Sequence, residues 1–203
     1  MVVDLLVEGV IDETAARKIV LACGHQPGQV FGKQGWQYIR DKLAGFNVRV
    51  RYGNPLLVMI DFMDTGLSCP PEIRQWLPDA SPRLLLRTVV REIESWLLAD
   101  RQSIAEYLRI SPSKIPSHPE QLPNPKQTLV NLARHSRRRR IKTDIVPPPG
   151  MSGSVGPGYT SRIQEFIQNY WDVHRAASAA PSLQRCLSRL QDLTEDLITP
   201  EHD

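Results

Sequence analysis

The chain has 203 residues, 41% of them hydrophobic and 23% charged, with a net charge of +3, the balance of an ordinary globular protein built on one core. Its three cysteines (Cys23, Cys69, Cys186) are odd in number and widely spaced, which excludes a disulfide framework or a zinc ribbon and points to reduced thiols in a cytoplasm. No apolar stretch approaches the roughly 18 residues of a membrane span, and Asp4 and Glu8 interrupt what would be the apolar core of a signal peptide, so the expectation is a soluble cytoplasmic protein with no membrane contact.

Residues 2 to 8 form a β-rich apolar run that reads as a buried strand ending at Glu8. Asp12 is placed to cap the following helix, in which Ala15, Ala16, Ile19, Val20 and Cys23 recur at helical spacing up to Gly24. Gly28, Gly32 and Gly35 then mark a loop carrying Lys33, and a helix follows from Trp36 to Leu43. Leu56 to Ile60 is a continuous apolar run, the pattern of a strand covered on both faces; it ends in Asp61, with Asp64 three residues on. Pro70 and Pro71 open a short helix to Trp76. Leu84 to Val90 is a third strand-like run, with Arg87 inside it, and it leads directly into a helical segment from Arg91 to Asp100.

Beyond residue 100 the character changes. A helix near Ile104 to Leu108 precedes a proline-rich connection (Pro112, Pro116, Pro119, Pro123, Pro125) and a helix from about Lys126 to His135. The basic run Arg137-Arg138-Arg139-Arg140-Ile141-Lys142 and a Pro/Gly-rich loop follow, and the chain closes with helices near Ser161 to Tyr170 and Ser182 to Leu197. Strands alternating with helices argue for an α/β fold with a mostly parallel sheet flanked by helices. Residues 1–110 are expected to form the α/β core and 111–203 a helical, loop-rich extension packed on it as one unit.

Acids stand at all three strand ends: Glu8 with Asp12, Asp61 with Asp64, and Glu92 with Glu94. In open α/β sheets ligands bind beyond the carboxyl ends of the strands. Hard cations such as Mg²⁺ or Mn²⁺ take oxygen ligands, and a pair of them can activate water and stabilise the leaving oxygen of a phosphodiester. The same acids also serve as helix caps and turn formers, and spacing alone does not say which subset converges. Glu92 and Glu94 share a face only on a strand, because on a helix they diverge by about 200°; Glu92 is the first expectation, joined by Glu94 if extended geometry persists through Ile93.

The basic run at Arg137, Arg138, Arg139, Arg140 and Lys142 is the best nucleic-acid feature, since clustered cations neutralise phosphates and release counterions. Its alternative is a solvated loop or a contact with an acidic partner. Lys33 and Lys126 are single cations able to approach a phosphate. The glycines from 150 to 158 lack the GxxxxGK[ST] pattern of a nucleotide loop. The histidines show no metal spacing and are expected in surface or capping roles.

Val7-Glu8-Gly9-Val10-Ile11-Asp12-Glu13 resembles the opening motif of the Toprim superfamily, the catalytic domain of topoisomerases, primases and the OLD (overcoming lysogenization defect) nucleases, with Glu8 and Asp12 matching the OLD-like version. Over nearly its whole length the chain resembles a Toprim-like family catalogued as domain of unknown function 4276. That likeness is carried by Glu92-Ile93-Glu94-Ser95-Trp96-Leu97-Leu98-Ala99-Asp100, by Pro119-Glu120 and Pro125-Lys126, by Gly156-Pro157-Gly158-Tyr159 and by Pro181-Ser182-Leu183. The resemblance implies a Toprim-like fold with a carboxylate-held Mg²⁺ (or Mn²⁺) used in nucleic-acid cleavage, in bacterial mobile-element and phage-defence loci. It also allows an ATPase partner, from which any ATP dependence would have to come because the chain has no Walker motif of its own, and a homo-oligomer. Catalysis is expected from Glu8, Asp12, Asp61 and Glu92, and metal ligation from Glu8, Asp12, Asp61, Asp64 and Glu94. Where the superfamily carries Asp-x-Asp, this chain has Asp61-Phe62-Met63-Asp64. That departure puts a second metal in doubt, and with it stands the alternative of a catalytically inactive subunit that binds nucleic acid or an ATPase.

Overall fold

A computed structural model describes residues 1–150 and 152–195, the side chains of 194 and 195 excepted. The first half runs β1 (Val2–Val7), α1 (Val10–Ala22), β2 (Gln26–Gly32), α2 (Gly35–Arg49), β3 (Leu56–Asp61) and β4 (Leu84–Val89), with two 3₁₀ turns, Phe62–Thr65 and Pro70–Trp76, between β3 and β4. The four strands pair in parallel in the order β2-β1-β3-β4. The chain is therefore an α/β protein. Because β1 has β2 on one side and β3 on the other, the winding direction reverses between β1 and β3, where such sheets open a crevice at their carboxyl edge.

Side-chain alternation along the strands divides the core in two. Leu5, Leu57 and Leu85 lie in register across β1, β3 and β4 and face one side; Leu6, Val58 and Leu86 lie in the next row and face the other. The second face is covered by α2 through Ile39 and Leu43, and by Ile73 of the second 3₁₀ turn. The first face is covered by α1 together with the whole second half: α3 (Ile93–Ala99), α4 (Arg101–Leu108), α5 (Pro125–Arg134), α6 (Arg139–Ile145), α7 (Tyr159–Asn169), α8 (Val173–Ala177) and α9 (Pro181–Glu195). The segment beyond residue 110 shares one continuous apolar cluster with β1 and α1. Trp96 anchors it, donating from Nε1 to Ser182 Oγ at 2.7 Å, while Trp171 Nε1 donates to the Trp96 carbonyl at 3.2 Å.

Several expectations are corrected. The segment read as a glycine-marked loop contains strand β2. It pairs with β1 from Val2↔Gln26 to Val7↔Gly32 and tolerates Pro27 because it is an edge strand. Gly28 lies against the Asp4 carboxylate and the Val2 side chain, where a Cβ would collide, so its glycine serves close backbone approach. Helix α2 is longer than expected, and α6 forms inside the basic run. Asp12 is not the cap of α1; Gly9 occupies the N-cap position and Asp12 lies in the first turn. His25 is buried, with Nε2 2.8 Å from the Leu190 carbonyl oxygen. The end of the helix expected to reach Leu197, and His202, lie outside the described residues. No helix among the described residues is long and apolar enough to cross a membrane.

Candidate functional site

Beyond the last ladder pair, Leu6↔Val58, β1 and β3 diverge at the switch point. The next free N–H on β3 belongs to Asp61, and Glu8, the residue after β1, takes it: Asp61 N donates to Glu8 Oε1 at 2.7 Å. Burial pushes the Glu8 carboxyl up to about 7, against the pull of the Asp61 amide, and the charges of Asp12 and Asp64 push the same way. Gly9 then turns the chain into α1; a Cβ there would stand 3.1 Å from Asp12 Oδ2. Asp12 lies buried at the positive end of α1, raised chiefly by desolvation while its own amide, the Lys126 charge and the Gly9 amide favour ionisation. Asp61 is 9% exposed, its Oδ1 has no partner, and its carboxyl is held well above the usual range by burial and then by the charges of Asp12, Glu94, Glu8 and Glu92.

Glu92 and Glu94 complete the wall. Glu92 is extended (φ −148°, ψ 166°) and α3 begins at Ile93, so the pair straddles a strand-to-helix junction. Both therefore reach one cation: Lys126 Nζ lies 3.5 Å from Glu92 Oε2 and 3.8 Å from Glu94 Oε1. The Lys126 backbone amide also donates to Glu92 Oε1 at 2.7 Å, as Pro125 starts α5. Glu94 has no exposed surface; it accepts from the Tyr159 hydroxyl at 2.7 Å on Oε1, its Oε2 is orphaned, and burial lifts its pKa to about 7. The Lys126 ammonium is raised by Glu94, Glu92 and Asp61, against its own desolvation.

Asp64 is the outlier of the six acids. The extra residue in Asp61-Phe62-Met63-Asp64 folds as a 3₁₀ turn and leaves Asp64 exposed, near enough for its charge to act on Glu8 and Asp12. Tyr159 was not among the sequence-derived site residues, although it ends the Gly156-Pro157-Gly158-Tyr159 motif. Gly156 N and Gly158 N donate to the Ile145 and Asp144 carbonyls at 2.8 and 2.9 Å, a contact too close for side chains, and that turn carries Tyr159 to Glu94.

Among the described residues, no three His, Cys, Asp or Glu side chains stand as a ready-made metal cage; the carboxylates are shared out among amides, Lys126 and Tyr159. The donor set nonetheless fits a hard divalent cation. All candidate donors are oxygens, and two buried carboxylate oxygens, Asp61 Oδ1 and Glu94 Oε2, have no hydrogen-bond donor to satisfy them.

The basic residues divide. Lys33, held at φ 63° after β2, is engaged by Glu13 at 3.1 Å. Arg138 is taken up by packing, its guanidinium 5.8 and 5.7 Å from the ring centres of Tyr107 and Tyr170. Arg137, Arg139, Arg140 and Lys142 are exposed. Lys142 shares with Gln127 and Arg134 a cleft of about 580 Å³ alongside α5, the helix whose first turn delivers Lys126.

No protein-family model, no curated protein and no solved structure matches the chain.

Proposed function

We propose that the protein is a Mg²⁺- or Mn²⁺-dependent phosphodiesterase acting on nucleic acid, in keeping with the Toprim resemblance of its motifs. The observation that supports it is the convergence of Glu8, Asp12, Asp61, Glu92 and Glu94 at the carboxyl edge of three adjacent strands, with two buried oxygens left unpaired. In this reading Asp61 and Glu94, through their unpaired oxygens, with Glu8 and Asp12 beside them, would draw together to hold the cation, which would supply polarisation of a phosphoryl group and a lowered pKa for bound water. Glu92 fixes Lys126 through its amide and ammonium, and Lys126 supplies positive charge where negative charge develops. Exposed Arg139, Arg140 and Lys142 engage flanking phosphates. The test is incubation with labelled DNA and RNA in Mg²⁺ or Mn²⁺: cleavage is expected, and Glu8→Gln should lower it by at least ~10³-fold, a loss typical of charge-stabilising groups. No cleavage, or cleavage indifferent to Glu8→Gln, overturns the reading.

One observation favours a non-catalytic reading, an adaptor for nucleic acid or an ATPase: Lys126 already provides a cation between Glu92 and Glu94. Calorimetric titration with Mn²⁺ separates the two. A site lost in Asp61→Asn supports the enzyme, and no site supports the adaptor.

A further inference from the structure

On the opposite side of β4 from β3, positive charge gathers around one cavity. β4 is the outermost strand, and a cavity of about 350 Å³ opens between it, the Pro70–Trp76 turn and the start of α9. Arg87 from β4, Arg74 from the turn and Arg185 from α9 line it, with Thr88 and Ser182 between them. Arg74 and Arg185 are exposed, whereas Arg87 is half-buried and its Nε is buried with no partner. Among the described residues no carboxylate forms an ion pair with any of the three. Ser182 Oγ is committed to Trp96 and Glu120, so it does not compensate the charge. Desolvation depresses the Arg87 guanidinium, Cys186 opposes this, and the nearby charges of Arg74, Arg189 and Arg185 depress it further.

Arg87 Nε, buried without a partner, carries an uncompensated cost that an anion entering the cavity would relieve, and the exposed Arg74 and Arg185 add positive charge at its rim. A carboxylate or a phosphodiester brings one charge. A phosphate monoester brings about 1.5 to 2 at pH 7 and three acceptor oxygens, and the planar fork of arginine matches it bidentately. The volume falls at the lower end of the range of small-molecule pockets, enough for a phosphate and the sugar it is attached to. We propose that this cavity, distinct from the carboxylate cluster, binds a phosphate monoester of nucleotide size, held by Arg74, Arg87 and Arg185. The ligand is a free nucleoside monophosphate or the phosphorylated 5′ end of a strand. Val90, which lines the cavity, lies two residues before Glu92 in the chain, so a bound phosphate end would lie near the acidic edge. The nucleotide character of the ligand rests on the proposed activity; the phosphate site itself does not.

Calorimetry at constant ionic strength in chloride, with inorganic phosphate and then a nucleoside 5′-monophosphate as probes, tests it. Both should bind and the unphosphorylated nucleoside should not. Arg185→Met and Arg74→Met, on exposed positions, should each weaken binding about tenfold, the loss of one charge-assisted contact. Arg87→Met should abolish binding and raise Tm in phosphate-free buffer, because it removes a half-buried guanidinium whose Nε has no partner. Glu8→Gln should bind phosphate as wild type does, which separates failure of this site from failure of the catalytic reading. Tighter binding of a 5′-phosphorylated than of a 5′-hydroxyl oligonucleotide identifies a strand end, and preference for the free monophosphate identifies a small ligand. Phosphate heat no larger than the chloride control, or unchanged affinity in Arg74→Met and Arg185→Met, overturns the proposal.

Discussion

Glu94 illustrates how one residue type takes its chemistry from its surroundings. It has no exposed surface, two of its neighbours are Lys126 and Tyr159, and its pKa is still displaced upward to about 7, because desolvation outweighs both. The native state thus holds a proton that the unfolded chain has lost above about 4.5. Stability associated with Glu94 is complete below pH 4.5 and declines as pH rises toward 7, by an amount on the order of 3 kcal/mol. Urea unfolding followed from pH 4.5 to 8 should show this fall, and Glu94→Gln, which keeps an acceptor for Tyr159, should make it shallower, leaving the share of Glu8, and unfold at higher urea at pH 8. A pH profile unchanged by Glu94→Gln would refute the assignment. Asp4 is the contrasting acid: equally buried in the first strand, it is matched by Arg49 at 2.7 Å and the Gln29 amide at 2.9 Å, and it is structural.

At the scale of elements, the block from Glu92 to Asp100 does two jobs. Its first turn presents Glu92 and Glu94 to the acidic edge, while Trp96 and Asp100 tie the second half to the sheet. Asp100, fully buried, caps α4 through the Ser103 amide, accepts from the Asp172 amide at 2.8 Å and receives Arg175 at 2.6 and 3.0 Å. Asp100→Asn removes the charge from this junction and should cost about 3 kcal/mol in urea unfolding, the range for breaking a buried pair. A loss of only a few tenths would mean that Arg175, which is 41% exposed, is satisfied by water instead. The glycine turn before α7 works similarly: its closeness to the Asp144–Val146 backbone sets where Tyr159 meets Glu94.

At the scale of the molecule, the acids, the cleft beside α5 and the exposed face of α6 are joined through α5, whose first turn carries Lys126 and whose last turn carries Arg134. If this face receives nucleic acid, the exposed residues should act as phosphate contacts. Arg139→Ala, Arg140→Ala and Lys142→Ala should each reduce the slope of log K against log salt by about one while leaving Tm unchanged. Arg138→Ala should instead lower stability by about 1 kcal/mol through lost stacking on Tyr107 and Tyr170. Anisotropy titrations across salt concentrations, paired with thermal melts, check both halves, and equal salt slopes in all four variants would discount this surface.

Three strands, their order of occurrence and the acids at their ends were legible in the sequence because contiguous apolar runs and their polar stops are local properties. β2 was not, because Gln26–Gly32 has little strand character of its own and becomes a strand only by pairing with β1. The α6 helix was hidden for a related reason: its seven residues gain their stability by burying Ile141 and Ile145 against the neighbouring helices. Glu94 was expected to join Glu92 only if extended geometry persisted through Ile93; Ile93 is already helical, and it is the shared approach to Lys126 that brings the two carboxylates together. The sequence by itself determined the fold class and the inventory of carboxylates. Only the tertiary structure decided that Lys126 and Tyr159, 32 and 65 residues from Glu94 along the chain, share its oxygens, and that three arginines from separate elements enclose one cavity. Burial and long-range electrostatics depend on which distant segments meet, and no local pattern encodes that.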